Sequence, residues 1–347
     1  MGNILGNKTY NEDLARVINK FDFSGLKNKS VMITGGLGLI GSAVADLLFA
    51  ANKIKNLNIK IFIASRSEEK FNKRYGNIED INFIYYDALE QINFNEYFDY
   101  IIHCAGLASP DMYVNFPVET LMTSVDSVRN LLEYCKNKNV MRFLYVSSSE
   151  VYGLKKEEKA FIENMYGTID IDNVRSSYAI GKITSEVLCR SYLKEYNVDC
   201  VIVRPGHIFG PTASEKDKKV SSEFAYLAAQ GKSLTLKSSG LQKRSYCYTL
   251  DCAAAILVSL IKGVAGESYN IGHDEITSIK EMAGYMAEAG GVELSVSNPT
   301  ESELKAFNPM NNSSLDIQKI KDIGYQDSFS VREACRHTIE IIRDCLK

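Results

Sequence analysis

Hydrophobic and polar positions along the chain follow two rhythms. Short apolar runs such as "SVMIT", "IKIFIA", "INFIYY", "YIIH" and "RFLYV" suit buried parallel strands. Between and after them, "IGSAVADLLFAA", "PVETLMTSVDSVRNLLEYCKNK" and "SSYAIGKITSEVLCRSYLKEY" place apolar residues at helical spacing. This alternation predicts an α/β fold, a Rossmann-type doubly wound parallel sheet. Upstream, "NEDLARVINKF" reads as a short amphipathic helix packed on the domain before its first strand. Pro205, Gly206, Gly210 and Pro211 in "RPGHIFGP" mark where the chain leaves the sheet, and "RSYCYTLDCAAAILVSLIKG" and "ESYNIG" mark its return. At 347 residues the chain exceeds what one core usually serves. The expected organisation is an N-terminal helical extension (1–30), a sheet domain (31–204 plus 241–274) and a smaller interleaved α/β lobe (205–240 plus 275–347).

Composition narrows the class. With 45% apolar and 24% charged residues and a net charge of −3, the chain reads as a soluble globular protein without the basic footprint of a nucleic-acid binder. Its eight cysteines are scattered, with no CxxC pair and no zinc spacing to the four histidines. Reduced thiols, no metal and a cytoplasmic location are expected. Val31 to Ala51 is long and mostly apolar, but its glycines and Asp46 argue against a membrane span. The N-terminus lacks the basic start and apolar core of a signal peptide, and Gly6 stands where a myristoylation motif needs Ser or Thr.

"VMITGGLGLIG" joins the first strand to its helix with the spacing TGxxGxxG: Thr34, Gly35, Gly38 and Gly41. Gly35 suits a tight turn, Gly38 the close approach of backbone to a pyrophosphate, and Gly41 close packing of helix on strand. The helix start at Leu39 and Ile40 offers phosphates unpaired N–H groups and a positive dipole end. The second strand ends near Ala64. Ser65 and Arg66 follow where an NAD site usually carries an acid. Arg66 suits a 2′-phosphate and Ser65 a hydrogen bond to it, so the expected cofactor is NAD(P), with NADP slightly favoured over NAD; a merely solvated Arg66 beside NAD is the other reading. Asp87, with Ala88 beside it, is placed for the adenine amino group. Cys104, Ala105 and Gly106 are small enough for the backbone to line the cofactor, and His103 reads as a packed residue.

Tyr178 and Lys182, four apart on one helix, share a face. A free phenol has a pKa near ~10; lowering it by about three units takes roughly 4 kcal/mol. A nearby ammonium and an oxidised nicotinamide both favour phenolate, which then removes a proton from an alcohol as hydride leaves. Ser148, after the preceding strand, is placed to hold the same oxygen.

With "TGGLGLIG", "SSSEVYG", "YAIGK", "RPGHIFGP" and "LDIQKIKDIGYQDSFSVREACRHTIE", the chain resembles the extended short-chain dehydrogenases/reductases of the nucleotide-sugar epimerase/dehydratase group, from about Lys29 to its end. The resemblance implies an NAD(P)-dependent enzyme with a Ser148–Tyr178–Lys182 triad, Tyr178, Lys182 and Pro205 also on the cofactor side, and a C-terminal lobe that binds the substrate's nucleotide. It also implies a role in surface-polysaccharide biosynthesis and a homodimer formed through helices 117–137 and 177–196.

Dehydratases of the group carry Asp-Glu after the catalytic Ser or Thr. Ser149-Glu150 here resembles the UDP-glucuronate decarboxylases instead, as do Arg175 and Ser109 in "GLASPDMYVNFPVET". The implied path takes hydride from sugar carbon 4, loses carbon dioxide from the β-keto acid and returns the hydride. Arg244 matches the family arginine on the diphosphate. His207 stands where the family has Asn, and Lys218 and Lys219 where decarboxylases have an arginine. Plainer readings make Glu150 a turn cap, Arg175 a solvated residue and Arg244 a surface charge. Arg66 supports a rival, an NADPH-dependent keto-sugar or sugar-nucleotide reductase. A non-catalytic cofactor sensor fits poorly with an intact triad.

Overall fold

A computed structural model describes residues 4–76, 78–92, 94–108, 110–155, 157–297 and 310–347. Seven parallel strands form the central sheet: β1 (Ser30–Thr34), β2 (Lys60–Ser65), β3 (Ile81–Tyr85), β4 (Tyr100–His103), β5 (Arg142–Val146), β6 (Cys200–Pro205) and β11 (Ser268–Ile271). Their order is β3-β2-β1-β4-β5-β6-β11. The order reverses between β1 and β4, the point where doubly wound sheets open a crevice at the strands' carboxyl ends. Register aligns those ends: Thr34 pairs with Ala64 on one side and His103 on the other. All five residues of β1 are buried, which is why Val31, Met32 and Ile33 run apolar without alternation between Ser30 and Thr34.

Helices α1 (Lys8–Lys20), α2 (Leu39–Lys55) and α8 (Thr249–Lys262) share one apolar cluster with one sheet face. Helices α5 (Pro117–Lys138) and α6 (Ser177–Tyr196) cover the other, α3 (Glu68–Tyr75) flanks β2 and β3, and α4 (Pro110–Asn115) precedes α5. Residues 205–240 and 275–347 contribute α7 (Val220–Ala229), α9 (Ile279–Gly290) and the C-terminal helix Val331–Leu346, and together with residues 243–248 they form three small strand pairs. In the first pair, β7 (His207–Phe209) runs parallel to β10 (Tyr246–Tyr248). In the others, β8 (Leu234–Leu236) joins β13 (Leu294–Val296) and β9 (Lys243–Arg244) joins β12 (Thr277–Ser278). Phe224, Leu234, Met282 and Ile339 from these elements join the same cluster as Ile33 and Ile61 of the sheet. The sheet therefore divides the two cores, and apolar packing continues from one sheet face into the smaller lobe.

Asp46, the charge inside an otherwise apolar helix, is fully buried and compensated. Tyr10 and Tyr75 donate to it at 2.8 and 2.9 Å, and Arg74 reaches it at 2.6 Å. Such satisfaction is what permits a carboxylate in a core. Asp13 of α1 meets Tyr248 at 2.9 Å and His337 at 2.8 Å, so the N-terminal helix ties the sheet domain to the C-terminal helix. All eight cysteines are unpaired. Among the described residues no helix is long and apolar enough to cross a membrane, and no group of three His, Cys, Asp or Glu is arranged to hold a metal.

Candidate active site

The turn after β1 is built by steric exclusion. Gly35 sits at φ +66°, and a Cβ there would lie 2.8 Å from the Ala105 nitrogen. A Cβ on Gly41 would lie 2.4 Å from the Gly35 carbonyl oxygen, so only glycine lets α2 start this close. Gly38 caps α2 with ordinary extended backbone, and its Cβ position meets only the Gly35 oxygen at 3.3 Å. Its demand for glycine points outward, to whatever approaches the helix start. A groove of about 490 Å³ runs across this turn, lined among others by Gly35, Gly38, Ser65, Arg66, Asp87, Ala88, Cys104, Ala105 and Gly106. Leu39, Ile40 and Gly41 form the first turn of α2 and Pro205 closes β6; these four do not line the groove. Tyr86, Met112, Phe116 and Thr123 are also among its lining and carried no signal, because each is one apolar or neutral residue among many at its periodicity. The cradle fits a dinucleotide: glycines where backbone must approach, a helix N-terminus beside them and polar groups at the far end.

At that end β2 finishes in Ser65, with no acid on its tip, and Arg66 is exposed. The Ser67 N–H donates to Ser65 Oγ at 3.3 Å. Asp87 accepts from the Leu89 N–H at 3.0 Å, which fixes its carboxylate at the groove wall. His103 is packed, as expected. Its Nδ1 is 2.6 Å from Thr34 Oγ1 and its Nε2 3.0 Å from Ser127 Oγ, and burial pushes it down to about 3.

The inner end carries the chemistry. Ser148 follows β5 and caps a 3-10 turn over Ser149–Tyr152, accepting from the Glu150 N–H at 3.2 Å. Tyr178 and Lys182 lie on the first turns of α6. Lys182 Nζ donates to the Val146 carbonyl at 2.9 Å and lies 5.9 Å from the Tyr178 ring centre. A Cβ on Gly106 would lie 3.7 Å from that ammonium, so Lys182 stands at the groove's inner wall. In the chain by itself the Tyr178 phenol is not lowered: burial pushes it up to about 12, against a hydrogen bond with Ser148 and with further upward pushes from Glu150 and Tyr113. Burial also pushes Lys182 down to about 8. Desolvation disfavours both charges at once.

Around the phenol lie the residues expected to meet substrate. The Tyr113 ring stacks on Tyr178 with centres 5.4 Å apart, and the Arg175 guanidinium lies 5.7 Å from the Tyr113 centre. Tyr113 was not foreseen; its helix α4 is only Pro110–Asn115, too short to announce a face. Ser109 lies outside the described residues. Glu150 is exposed, yet its charge acts on both Tyr178 and Arg244. Ser149, half-buried, starts the same turn.

Arg244 is not a surface charge: only 4% of it is exposed, and its NH1 donates to the Lys243 carbonyl at 2.9 Å. Burial lowers it from the usual arginine range. His207 is held down to about 3 by burial, then by the charges of Arg244 and Lys219, and its Nδ1 is buried with no hydrogen-bond partner among the described residues. The fold thus sets a neutral His207 under the charges of Lys219 and Arg244, which come from two other segments. Arg204, beside them in sequence, is spent elsewhere, in a buried two-pronged pair with Glu186 at 2.9 and 2.7 Å.

Comparison with known proteins agrees with this layout. The family described as NAD dependent epimerase/dehydratase matches residues 31–272. UDP-glucuronic acid decarboxylase 6 of Arabidopsis thaliana is 30% identical over 309 residues, 88% of this chain and 86% of that protein. UDP-glucuronic acid decarboxylase 1 of Xenopus tropicalis is 29% identical over 318 residues, 91% of this chain and 72% of that protein. Among solved structures, the UDP-glucuronic acid 4-epimerase of Bacillus cereus, in complex with UDP-glucuronic acid and NAD, superposes with a TM-score of 0.74 at 22% identity, covering 91% of this chain and 99% of that one.

Proposed function

We propose a reaction for this chain from one premise: it belongs to the NAD dependent epimerase/dehydratase family, and is an enzyme of it. Its substrate is a nucleotide-activated sugar, modified at carbon 4 and, in the reading we favour, decarboxylated with return of the hydride. The bound nicotinamide supplies a reversible hydride acceptor. Gly35, Gly38, Ser65, Arg66, Asp87 and the 104–106 backbone hold the dinucleotide, with Lys182 at the inner wall. Tyr178 takes the carbon-4 hydroxyl proton, and Ser148 hydrogen-bonds the same oxygen. Burial alone leaves Tyr178 protonated, so the proton leaves only when cationic charge adds to that of Lys182. The oxidised sugar is a β-keto acid when carbon 5 bears a carboxylate. Its carbon–carbon bond then breaks, the electron pair moves onto the carbon-4 carbonyl as enolate, and carbon dioxide leaves. Reprotonation and hydride return complete a cycle with no net oxidation.

The observation that carries the decarboxylase reading is Arg175. Its guanidinium sits one aromatic ring from the Tyr178 phenol, suited to a sugar carboxylate. The named decarboxylase relatives support the same choice. Ser149 in place of a dehydratase acid argues against simple loss of water. A second reading rests on Ser65 and Arg66 at the groove wall: they favour NADP, and with it a net reduction of a keto-sugar. We assign 31–204 with 241–274 to the dinucleotide domain and 205–240 with 275–347 to the substrate lobe. A homodimer through α5 and α6 would cover Val118, Met122 and Val187, all large apolar side chains left exposed.

The test is UDP-glucuronate labelled with ¹³C at its carboxylate. The expected result is one labelled carbon dioxide per nucleotide-pentose formed, abolished in Tyr178→Phe. No labelled gas, with one NADPH consumed per keto-sugar reduced, would replace this reading with the reductase.

A further inference from the structure

We propose that His207 is the group through which substrate binding takes up a proton: its orphaned Nδ1 becomes an N–H donor to a diphosphate oxygen. The inference rests on the nucleotide-sugar reading and deepens it.

The geometry starts with strand pairing. His207 is in register with Tyr246 across the parallel β7–β10 pair, two residues beyond Arg244. The Tyr246 ring meets the imidazole edge-on at 5.7 Å. Lys219, the exposed cap residue of α7, acts on it through its charge. Among the described residues, the charged groups acting on His207 are thus Arg244 and Lys219, with Tyr246 as the adjoining titratable ring; Glu150 acts one step away, on Arg244.

A neutral imidazole has one nitrogen that donates and one that accepts. Burial and two nearby cations keep His207 neutral, and its Nδ1 has no partner among the described residues. A buried polar atom without a partner is costly. An anion seated against Arg244 and Lys219 changes both conditions. Its negative charge opposes the two cations that exclude the proton, and its oxygens accept from the new N–H. A diphosphate diester keeps both charges across the physiological range, so any proton taken up belongs to the protein. An asparagine at this position would offer an N–H without a proton to exchange, so the histidine makes affinity depend on pH.

Four histidines make the test direct. Protein labelled with ¹³C-histidine is titrated by NMR from pH 5.5 to 8, with and without saturating UDP-glucose or dTDP-glucose. The His207 resonance is assigned by its absence in His207→Asn and His207→Gln, which requires only that one variant folds. The free protein should show His207 neutral throughout, and the complex should show its midpoint inside the window. Calorimetry in two buffers of different ionisation enthalpy should then register proton uptake, with affinity weakening up to about tenfold per pH unit above that midpoint. Sugar nucleotide bound while His207 stays neutral overturns this inference and leaves the proposed function standing. Proton uptake that persists unchanged in a folded His207 variant overturns it as well. No binding of either sugar nucleotide by the wild-type protein overturns both.

Discussion

The glycine turn after β1 and the cluster around His207 are both read as phosphate sites, yet they are made of different material. The first is backbone. Gly35 and Gly41 are dictated by contacts of 2.8 and 2.4 Å that any side chain would violate, and a helix end supplies the charge. The second is side chains from three separate segments, His207, Lys219 and Arg244, which the fold holds together in and around a partly buried site. A backbone site tolerates almost no substitution and varies little in what it binds. A side-chain site can change one residue and acquire a new property, as His207 illustrates.

Predictions follow that contrast. The largest effect belongs to Tyr178→Phe, which removes the group proposed to take the alcohol proton. Turnover should fall by about 10²–10⁴-fold while dinucleotide binding persists, measured by steady-state kinetics and by cofactor titration. Gly41→Val should separate the two regions next. Its side chain must push α2 off the turn, so dinucleotide affinity should drop roughly a hundredfold or the fold should fail, while Arg244→Gln should leave cofactor binding unaltered and weaken only the sugar nucleotide. Arg175→Gln should raise KM for a carboxylated sugar nucleotide by about 10- to 100-fold, the worth of a charge-assisted pair, and leave a neutral one within a few-fold. Ser65→Asp should lower affinity for NADP relative to NAD by roughly tenfold, read as the ratio of the two affinities.

The smallest effect is in stability. His103 is pushed down to about 3 in the fold, against an ordinary value near 6.5. As pH falls below about 6.5 the unfolded chain binds a proton that the folded chain refuses, so the stabilisation present above that pH is lost at up to about 1.4 kcal/mol per unit until roughly pH 3. Urea midpoints between pH 7 and 5 should fall more steeply in the wild-type protein than in His103→Gln.

The same contrast explains what was legible in the chain. "SVMIT" became β1 without adjustment, because a fully buried strand needs only apolar residues. The TGxxGxxG spacing, the Tyr178–Lys182 pair on one helix and the end of β2 at Ser65 are local facts that local sequence states. Arg244 and His207 were indicated by resemblance alone, and their proximity depends on a strand register that no local pattern contains. Tyr113 was missed because a six-residue helix has no periodicity to expose which side chain faces the phenol. The lowered phenol pKa is expected from an ammonium together with an oxidised nicotinamide; in the chain by itself burial, which only a fold can supply, pushes the other way. The packing that runs from the sheet into the lobe was hidden for the same reason: α1, α8 and the C-terminal helix each look like ordinary amphipathic or apolar helices until the sheet is present.

The most direct measurement of the central claim uses a sugar nucleotide carrying deuterium at carbon 4. UDP-[4-²H]glucuronate is incubated with the holoenzyme, and the product is examined by mass spectrometry and NMR. Hydride abstraction and return predicts a product that retains deuterium at carbon 4, with no net change in the oxidation state of the dinucleotide pool. A product that carries hydrogen there from added NADPH, formed one for one with its consumption, would contradict the account.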